Sequence, residues 1–298
     1  MATARVENFG KLLEPGLRKI FYEVYKQIDT KIPMLFNVQT TDKPYETDVG
    51  IGTMGEFPRF TGSVEYDTPV QGYTKVYEFP EYAKGFGIER KLFDDDQYNI
   101  INRRPEGLAI SAARSREQYA AKLFINAFSN SYAGGDGVAL CSTTHPSKAA
   151  DGPAARSNAG TSELSHDSLV ATRRLMKQFT DDRGGKILLN PDTLLVPLEL
   201  EEMAWMLNGS DKLINVADND PNFNKSRFNV VVWDYLPDGA WFMMDSYYMK
   251  MFLNWFDRIP LEFAQDEEFD TLIAKFRAYM RYEAGWSDWM WIYGHDYS

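Results

Sequence analysis

Cys141 and His145 lie four residues apart, a spacing that on a helix would let an imidazole act as base for a thiolate nucleophile. The intervening Ser142, Thr143 and Thr144 and the following Pro146 write a loop instead, and nothing nearby supplies the electropositive setting that activates a thiol. One cysteine and three histidines are too few for a thiolate-rich zinc site, so the pattern predicts a small buried thiol and a loop imidazole. His166 and His295 read as a helix-start residue and a tail residue. Asp218, Asp220, Asn222 and Asn224 alternate like the ligands of a calcium loop, but the sixth position is Phe223 rather than glycine and the twelfth is Asn229 rather than glutamate. That leaves a solvated turn. Gly134, Gly135 and Gly137 precede no lysine-serine pair and follow a helix pattern rather than a strand, the wrong setting for a phosphate cradle. These patterns supply no catalytic residue, no metal ligand and no cofactor site.

Rings concentrate near the end of the chain, at Trp286, Trp289, Trp291, Tyr293 and Tyr297. They could be open platforms of a β-rich module that binds a sugar or a partner. Dense Trp and Tyr also mark buried anchors, and core packing or a subunit seam is the favoured reading.

The elements that must carry these residues are legible from periodicity. Residues 42–93 read as an extended, hairpin-like arm with no core of its own. Tyr73, Lys75, Tyr77 and Phe79 share one strand face, Pro80 and Glu81 break the count, and Tyr82, Phe86 and Ile88 take the opposite parity. Phe60, Val64 and Tyr66 alternate with polar residues upstream and read as the partner strand. An isolated two-stranded ribbon is marginal in water, so the arm needs a surface to lie on. Acidic Asp94, Asp95 and Asp96 then suit the start of a short helical run through Tyr98 and Ile101. A long helix is predicted to open at Pro105 and run towards Phe128 with Leu108, Ala112, Tyr119, Leu123 and Ala127 on one face. Its length is roughly 36 Å at about 1.5 Å per residue.

Downstream, Ser142 to Ser165 reads as a surface loop and Ser165 to Gln178 as a helix with Leu169, Leu175 and Met176 inward. Ile187 to Leu189 and Thr193 to Val196 read as short buried strands, followed by a helix through Leu200, Met203, Ala204 and Leu207 that ends at Asn208 and Gly209. Phe228 to Tyr235 and Ala240 to Asp245 flank a Leu-Pro-Asp-Gly turn and predict a hairpin. Ile259 to Phe263 and Thr271 to Glu283 predict a second one, whose last strand alternates strictly and should keep one face wet.

Composition narrows the function classes. The chain has 298 residues, 44% hydrophobic, enough for one large core or two modest ones. No apolar run approaches the ~20 residues of a membrane span, and MATARVENFG lacks a signal-peptide core, which predicts a soluble, intracellular product. A single cysteine excludes an internal disulfide framework. A net charge of -11 argues against a protein that grips nucleic acid through Lys and Arg, and against sequence-specific DNA binding.

Three stretches, in order, carry a family resemblance: Gly85-Phe-Gly-Ile-Glu-Arg-Lys-Leu-Phe-Asp-Asp-Asp, Asp136-Gly-Val-Ala-Leu-Cys-Ser-Thr-Thr-His-Pro146, and Leu188-Leu-Asn-Pro-Asp-Thr-Leu-Leu-Val-Pro197. The chain resembles tailed-bacteriophage major capsid proteins of the HK97 fold, with the second stretch similar to the Mu-like head-subunit branch. The resemblance implies an α+β fold divided into an N-terminal arm (1–44), an extended loop (45–90), a peripheral domain with a spine helix at about 105–129 (91–190), an axial domain (191–257), and a return to the peripheral domain with a C-terminal tail (258–298). It implies a structural, non-enzymatic subunit that forms pentamers and hexamers around a DNA genome, in a virion assembled in the host cytoplasm, with no membrane partner. A separate scaffolding protein and a portal are the expected partners, because the extended arm begins within the first fifty residues and leaves no room for a fused scaffold. Phe60, Tyr66, Tyr73, Tyr77, Phe79 and Tyr82 are the expected self-assembly contacts. The lysine-to-asparagine bond of some relatives is not carried over to Lys75 or Lys84, since nothing local identifies a partner asparagine or a catalytic carboxylate.

Overall fold

The computed structural model describes residues 9–51, 59–60, 62, 64, 66, 71–95, 100–147, 155–213, 220–268, 271 and 273–297. In chain order these form α1 (Phe9–Gln27), α2 (Ile32–Leu35), β1 (Asn37–Thr40), β2 (Tyr45–Ile51), β3 (Gln71–Glu78), β4 (Glu81–Glu89), α3 (Arg90–Asp94) and α4 (Ile100–Ile125). There follow β5 (Ala159–Gly160), α5 (His166–Met176), β6 (Thr193–Val196), α6 (Glu201–Gly209), β7 (Asn229–Val232), β8 (Trp241–Met244), α7 (Ser246–Phe252), β9 (Leu253–Glu268), β10 (Ile273–Trp286) and β11 (Ile292–His295). Among the described residues no helix is long and apolar enough to cross a membrane.

Two sheets and one long helix organise the chain. The first sheet has the order β1-β9-β10-β4 and the second β5-β11-β8-β6-β7, while β2 and β3 pair only with each other. β10 shows the expected alternation: Ala274, Phe276, Ala278, Met280, Tyr282 and Ala284 are buried, whereas Lys275 and Arg277 between them are exposed. A strand whose second face meets water keeps polar residues at every other position, which is why this element was readable.

α4 spans two cores. Near its start Leu108 and Ala109 join Ile88, Phe263 and Phe276, against which α1 lays Leu17 and Phe21, one turn apart. Near its end Ala120, Ala121 and Phe124 enter the larger core, where the Phe124 ring lies 5.6 Å from Phe242 and 5.8 Å from Trp233 of the second-sheet region and 6.4 Å from Phe36. Small alanines on this face let both sheets come close to the helix axis.

Two adjacent polar residues of α4 fasten it to two different parts of the chain. Arg116 donates from both terminal nitrogens to the Asp257 carboxylate on β9, at 2.8 and 3.0 Å, with its guanidinium 4.9 Å from the Trp255 ring and 5.4 Å from Tyr282. Glu117 accepts from the Thr30 hydroxyl, from the Lys31 amide at 2.9 Å and from the Trp233 indole at 3.1 Å.

Several expectations need correction. The long helix starts at Ile100 rather than Pro105 and ends at Ile125, so Pro105 falls inside it. A proline there removes one ladder donor near the start of the helix, and the packed face that follows outweighs the loss. The acidic run feeds the end of α3 rather than a helix start, and residues 96–99 lie outside the described residues. The partner of β3 is β2, in register from Tyr45 opposite Glu78 to Ile51 opposite Gln71; Phe60, Val64 and Tyr66 are outside any strand. β4 is not part of the arm, since it pairs along its whole length with β10.

Ile187 to Leu189 form no strand, and Leu188 is 90% exposed. β7 and β8 are no hairpin: β6 lies between them, parallel to one and antiparallel to the other, so the Leu236–Gly239 turn is real but its flanking strands do not meet. β9 and β10 do pair, over longer spans than expected, and the acidic residues 266–268 end β9. α5 carries a capping box at Ser165 and Ser168 and buries Leu169 and Met176, but Leu175 points outward. β11 joins the second sheet beside β8.

Arg116→Ala would leave the Asp257 carboxylate unpaired beneath Trp255, and urea unfolding of the unassembled subunit should show a loss of about 3–5 kcal/mol. Arg116→Met combined with Asp257→Leu should recover most of it, because a packed apolar pair has no stranded charge.

Candidate assembly surface

The arm is β2 and β3 with the chain between them, and one face of β3 is tied to the body of its own subunit. Tyr77 and Phe79 are fully buried on Phe256, with ring centroids at 5.0 and 6.3 Å. Arg281 donates twice to the Phe79 carbonyl, at 3.1 and 2.8 Å. Lys75 reaches the Ala133 carbonyl at 3.1 Å and sits 5.9 Å from the Trp286 ring, and the Tyr73 hydroxyl approaches the Pro146 carbonyl at 3.5 Å. Burial pushes the Tyr77 phenol far above its ordinary pKa, so this ring stays neutral.

The other side of the arm faces outward. Tyr45 is 57% exposed and Val76 50%, with Val49 beside them, and on the stretch beyond β2 Phe60 is 70% and Tyr66 88% exposed. At the neck, where the ladder slips between Val49 and Ile51, Gly72 faces Gly50 so closely that a Cβ on Gly72 would lie 2.6 Å from the Gly50 carbonyl carbon. Only glycine allows that approach.

The six expected contact residues therefore divide. Tyr77 and Phe79 are not available to a neighbour, because Phe256 of the same subunit covers them. Tyr82 stacks on Tyr282 at 4.5 Å and Tyr73 is half-buried, while Phe60 and Tyr66 stand open. Tyr45, Val49 and Val76, outside the expected set, are open as well. The alternation Tyr-Glu-Thr-Asp-Val-Gly-Ile at 45–51 carried the signal, but the polar-apolar pattern around Phe60 competed with it.

The residues whose spacing hinted at chemistry are packed into the subunit. Cys141 is buried and its thiol is pushed well up by burial, the reverse of an activated nucleophile. His145 is fully buried rather than a surface-loop imidazole: its Nδ1 lies 2.6 Å from Asp136, its Nε2 2.9 Å from the Asn158 side-chain oxygen, and its ring stacks 4.1 Å from Trp289. Arg156 covers the same indole and donates to Asp182 at 3.0 Å. Residues 136–147 and 155–158 are thus cross-braced.

His295 is no solvated tail residue either. It stacks 4.1 Å from Trp241, accepts from the Ser162 amide at Nδ1 and contacts Thr172 at Nε2. His166 does begin α5. The glycine turn serves packing: a Cβ on Gly135 would press on Tyr73 and Thr74 of β3 at 3.2 Å. In the calcium-like run Asp218 lies outside the described residues, and the Asn222 amide donates to the Leu207 and Ser210 carbonyls. No group of three or more acidic, His or Cys side chains among the described residues could hold a metal. Trp286, Trp289, Trp291 and Tyr293 are all buried and only Tyr297 is open, which removes the aromatic-platform alternative.

A family model described as phage capsid protein matches residues 72–294. No curated protein sequence matches the chain. Among solved structures, the mature capsid of bacteriophage PhiM1 aligns with a TM-score of 0.61 at 11% identity, covering 91% of this chain and 88% of that one. The capsid of a native GTA particle aligns at 0.56 and 15% identity, covering 89% of each chain. The capsid of bacteriophage JBD30, decorated with minor capsid protein trimers, aligns at 0.56 and 14%, covering 76% of this chain and 98% of that one. At these identities the likeness is one of fold, the HK97 type.

Tyr77→Ala and Phe79→Ala should each destabilise the unassembled subunit by roughly 3–5 kcal/mol in urea titrations, as deletions of buried rings do. A second expectation concerns pH. Burial lowers the His295 pKa to about 4 from 6.5, so the unfolded chain takes a proton that the folded one refuses, and stability present above about pH 6.5 is lost as pH falls towards 4. Asp288, raised by burial to about 6 from 3.8, acts in the opposite sense over nearly the same range. Asp288→Asn should therefore steepen the loss of unfolding free energy between pH 6.5 and 4, and His295→Gln should flatten it.

Proposed function

The chain belongs to the phage capsid protein family, and from that premise we propose that its outward arm clasps a neighbouring copy as subunits close into pentamers and hexamers. It is a structural component of the virion that self-assembles into the phage head enclosing the genome. The observation that carries this reading is the family match across 223 residues, from the arm's second strand to the last strand of the second sheet.

The clasp falls to the open side of the arm, Phe60 and Tyr66 first, with Tyr45, Val49 and Val76 continuing the apolar surface. Large rings left open on an otherwise acidic surface are the kind of anchor that buries into a partner's pocket. Tyr73 and Tyr82 form the half-buried margin of that contact. In our reading residues 1–44 act as the N-terminal arm, 45–90 as the extended loop with β4 as its return into the first sheet, 91–190 with 258–298 as the peripheral domain and 191–257 as the axial domain. The work is mechanical rather than enzymatic: the inert Cys141 and the braced His145 support this. Assembly in the host cytoplasm with a separate scaffolding protein and a portal belongs to the same reading, and the run from Asp136 to Pro146 supports kinship with the Mu-like head proteins.

Negative-stain microscopy and light scattering of the expressed protein, with and without scaffold, test the proposal; rings, tubes or shells are expected, and monomer at every concentration would reject it. Phe60→Ser with Tyr66→Ser should leave the melting temperature of the unassembled subunit unchanged and raise the concentration needed for assembly by tenfold or more, since losing two interface anchors costs upwards of ~2 kcal/mol.

A further inference from the structure

The open face of α4 carries charge opposite in sign to the chain. Against 43 acidic and 32 basic residues overall, the exposed charged side chains of this helix are Arg103, Arg104, Arg114 and Lys122, interleaved with Ser115 and Gln118. Its two carboxylates are elsewhere: Glu117 is buried beneath Trp233, and Glu106 is half-buried. Lys84 of β4 adds a further cation, with its Nζ 3.1 Å from the Ser111 hydroxyl. No ion pair links Arg103, Arg104 or Arg114 to a carboxylate among the described residues; the helix's one paired guanidinium, Arg116, points the other way to Asp257. Asp29, Glu201 and Asp234 line a groove beside Arg114, and Glu78 and Glu283 line one beside Lys122, all on other elements. From Arg103 to Lys122 the row runs about 28 Å along one rod at about 1.5 Å per residue.

We propose that this face of α4 is a sequence-independent contact for the phosphates of duplex DNA enclosed by the shell. The inference rests on the capsid reading above, which supplies the DNA. The chemistry favours a polyanion over a protein partner: guanidinium, amide and hydroxyl donors recur along the rod, and no aromatic anchor stands among them. Neutralised phosphates release counterions, so the contact weakens steeply with salt. The surrounding negative charge keeps it shallow, which holds the duplex near the wall without fixing it.

Binding of a short mixed-sequence duplex to the unassembled full-length subunit, followed by fluorescence anisotropy across a NaCl series, reads this directly. Replacing Arg103, Arg104, Arg114 and Lys122 by Gln should flatten the log-log salt dependence by about 3 to 4, at about 0.9 for each phosphate that is no longer neutralised. Arg103→Lys with Arg104→Lys and Arg114→Lys should retain it, and unchanged circular dichroism of both variants establishes that they fold. An unaltered slope in the Gln variant overturns the proposal, as does poly-glutamate competing as well as DNA, which would make the face a dock for an acidic protein. Shell formation by the wild type is scored separately by microscopy, so a failed capsid reading and a failed DNA contact give different results.

Discussion

The position of the long helix depends on two neighbouring residues that hold it to different parts of the subunit. Arg116 holds the first sheet through Asp257, and Glu117 holds the Trp233 turn and the chain leaving α1. Charges taken out of water need partners with good geometry, and each of these has several. Their adjacency fixes the rotation of α4 about its own axis. Once that is set, the alanine-rich face meets both sheets, and the basic row can only look outward.

Much of the fold was legible in the sequence for physical reasons that also mark where legibility stopped. β10 could be read residue by residue, because a strand with one wet face writes its pleat into its composition. The cap at Ser165 and the stop at Gly209 were likewise local chemistry. The order of the second sheet was not readable: β7 and β8 flank a good turn, yet β6 slips between them, a pairing decided by residues over thirty positions away. Phe60 and Tyr66 mimicked a strand because exposed rings and buried rings alternate alike when only the sequence is in view.

The arm shows the same limit at the level of the site. Tyr77 and Phe79 have the composition of interface anchors, and their partner Phe256 is nearly two hundred residues downstream, so no local signal could assign them to their own subunit. The loop setting of Cys141 and His145, by contrast, was readable from the residues around them. What could not be read was that His145 is a buried brace, since Asp136, Asn158 and Trp289 converge on it from three directions.

The pair Gly50 and Gly72 has a consequence for shells as a whole. In a closed lattice with both fivefold and sixfold vertices, identical chains occupy environments that differ in curvature, and the mismatch has to be absorbed somewhere. Below the neck the arm is pinned by Phe256, Arg281 and Trp286; above it Phe60 and Tyr66 stand open, and under the proposed clasp they would meet a neighbour at whatever angle the vertex imposes. Two side-chain-free residues facing each other at a slipped register concentrate the compliance at one point. A single sequence could then satisfy quasi-equivalence by tilting one lever, with the packed body unchanged from site to site.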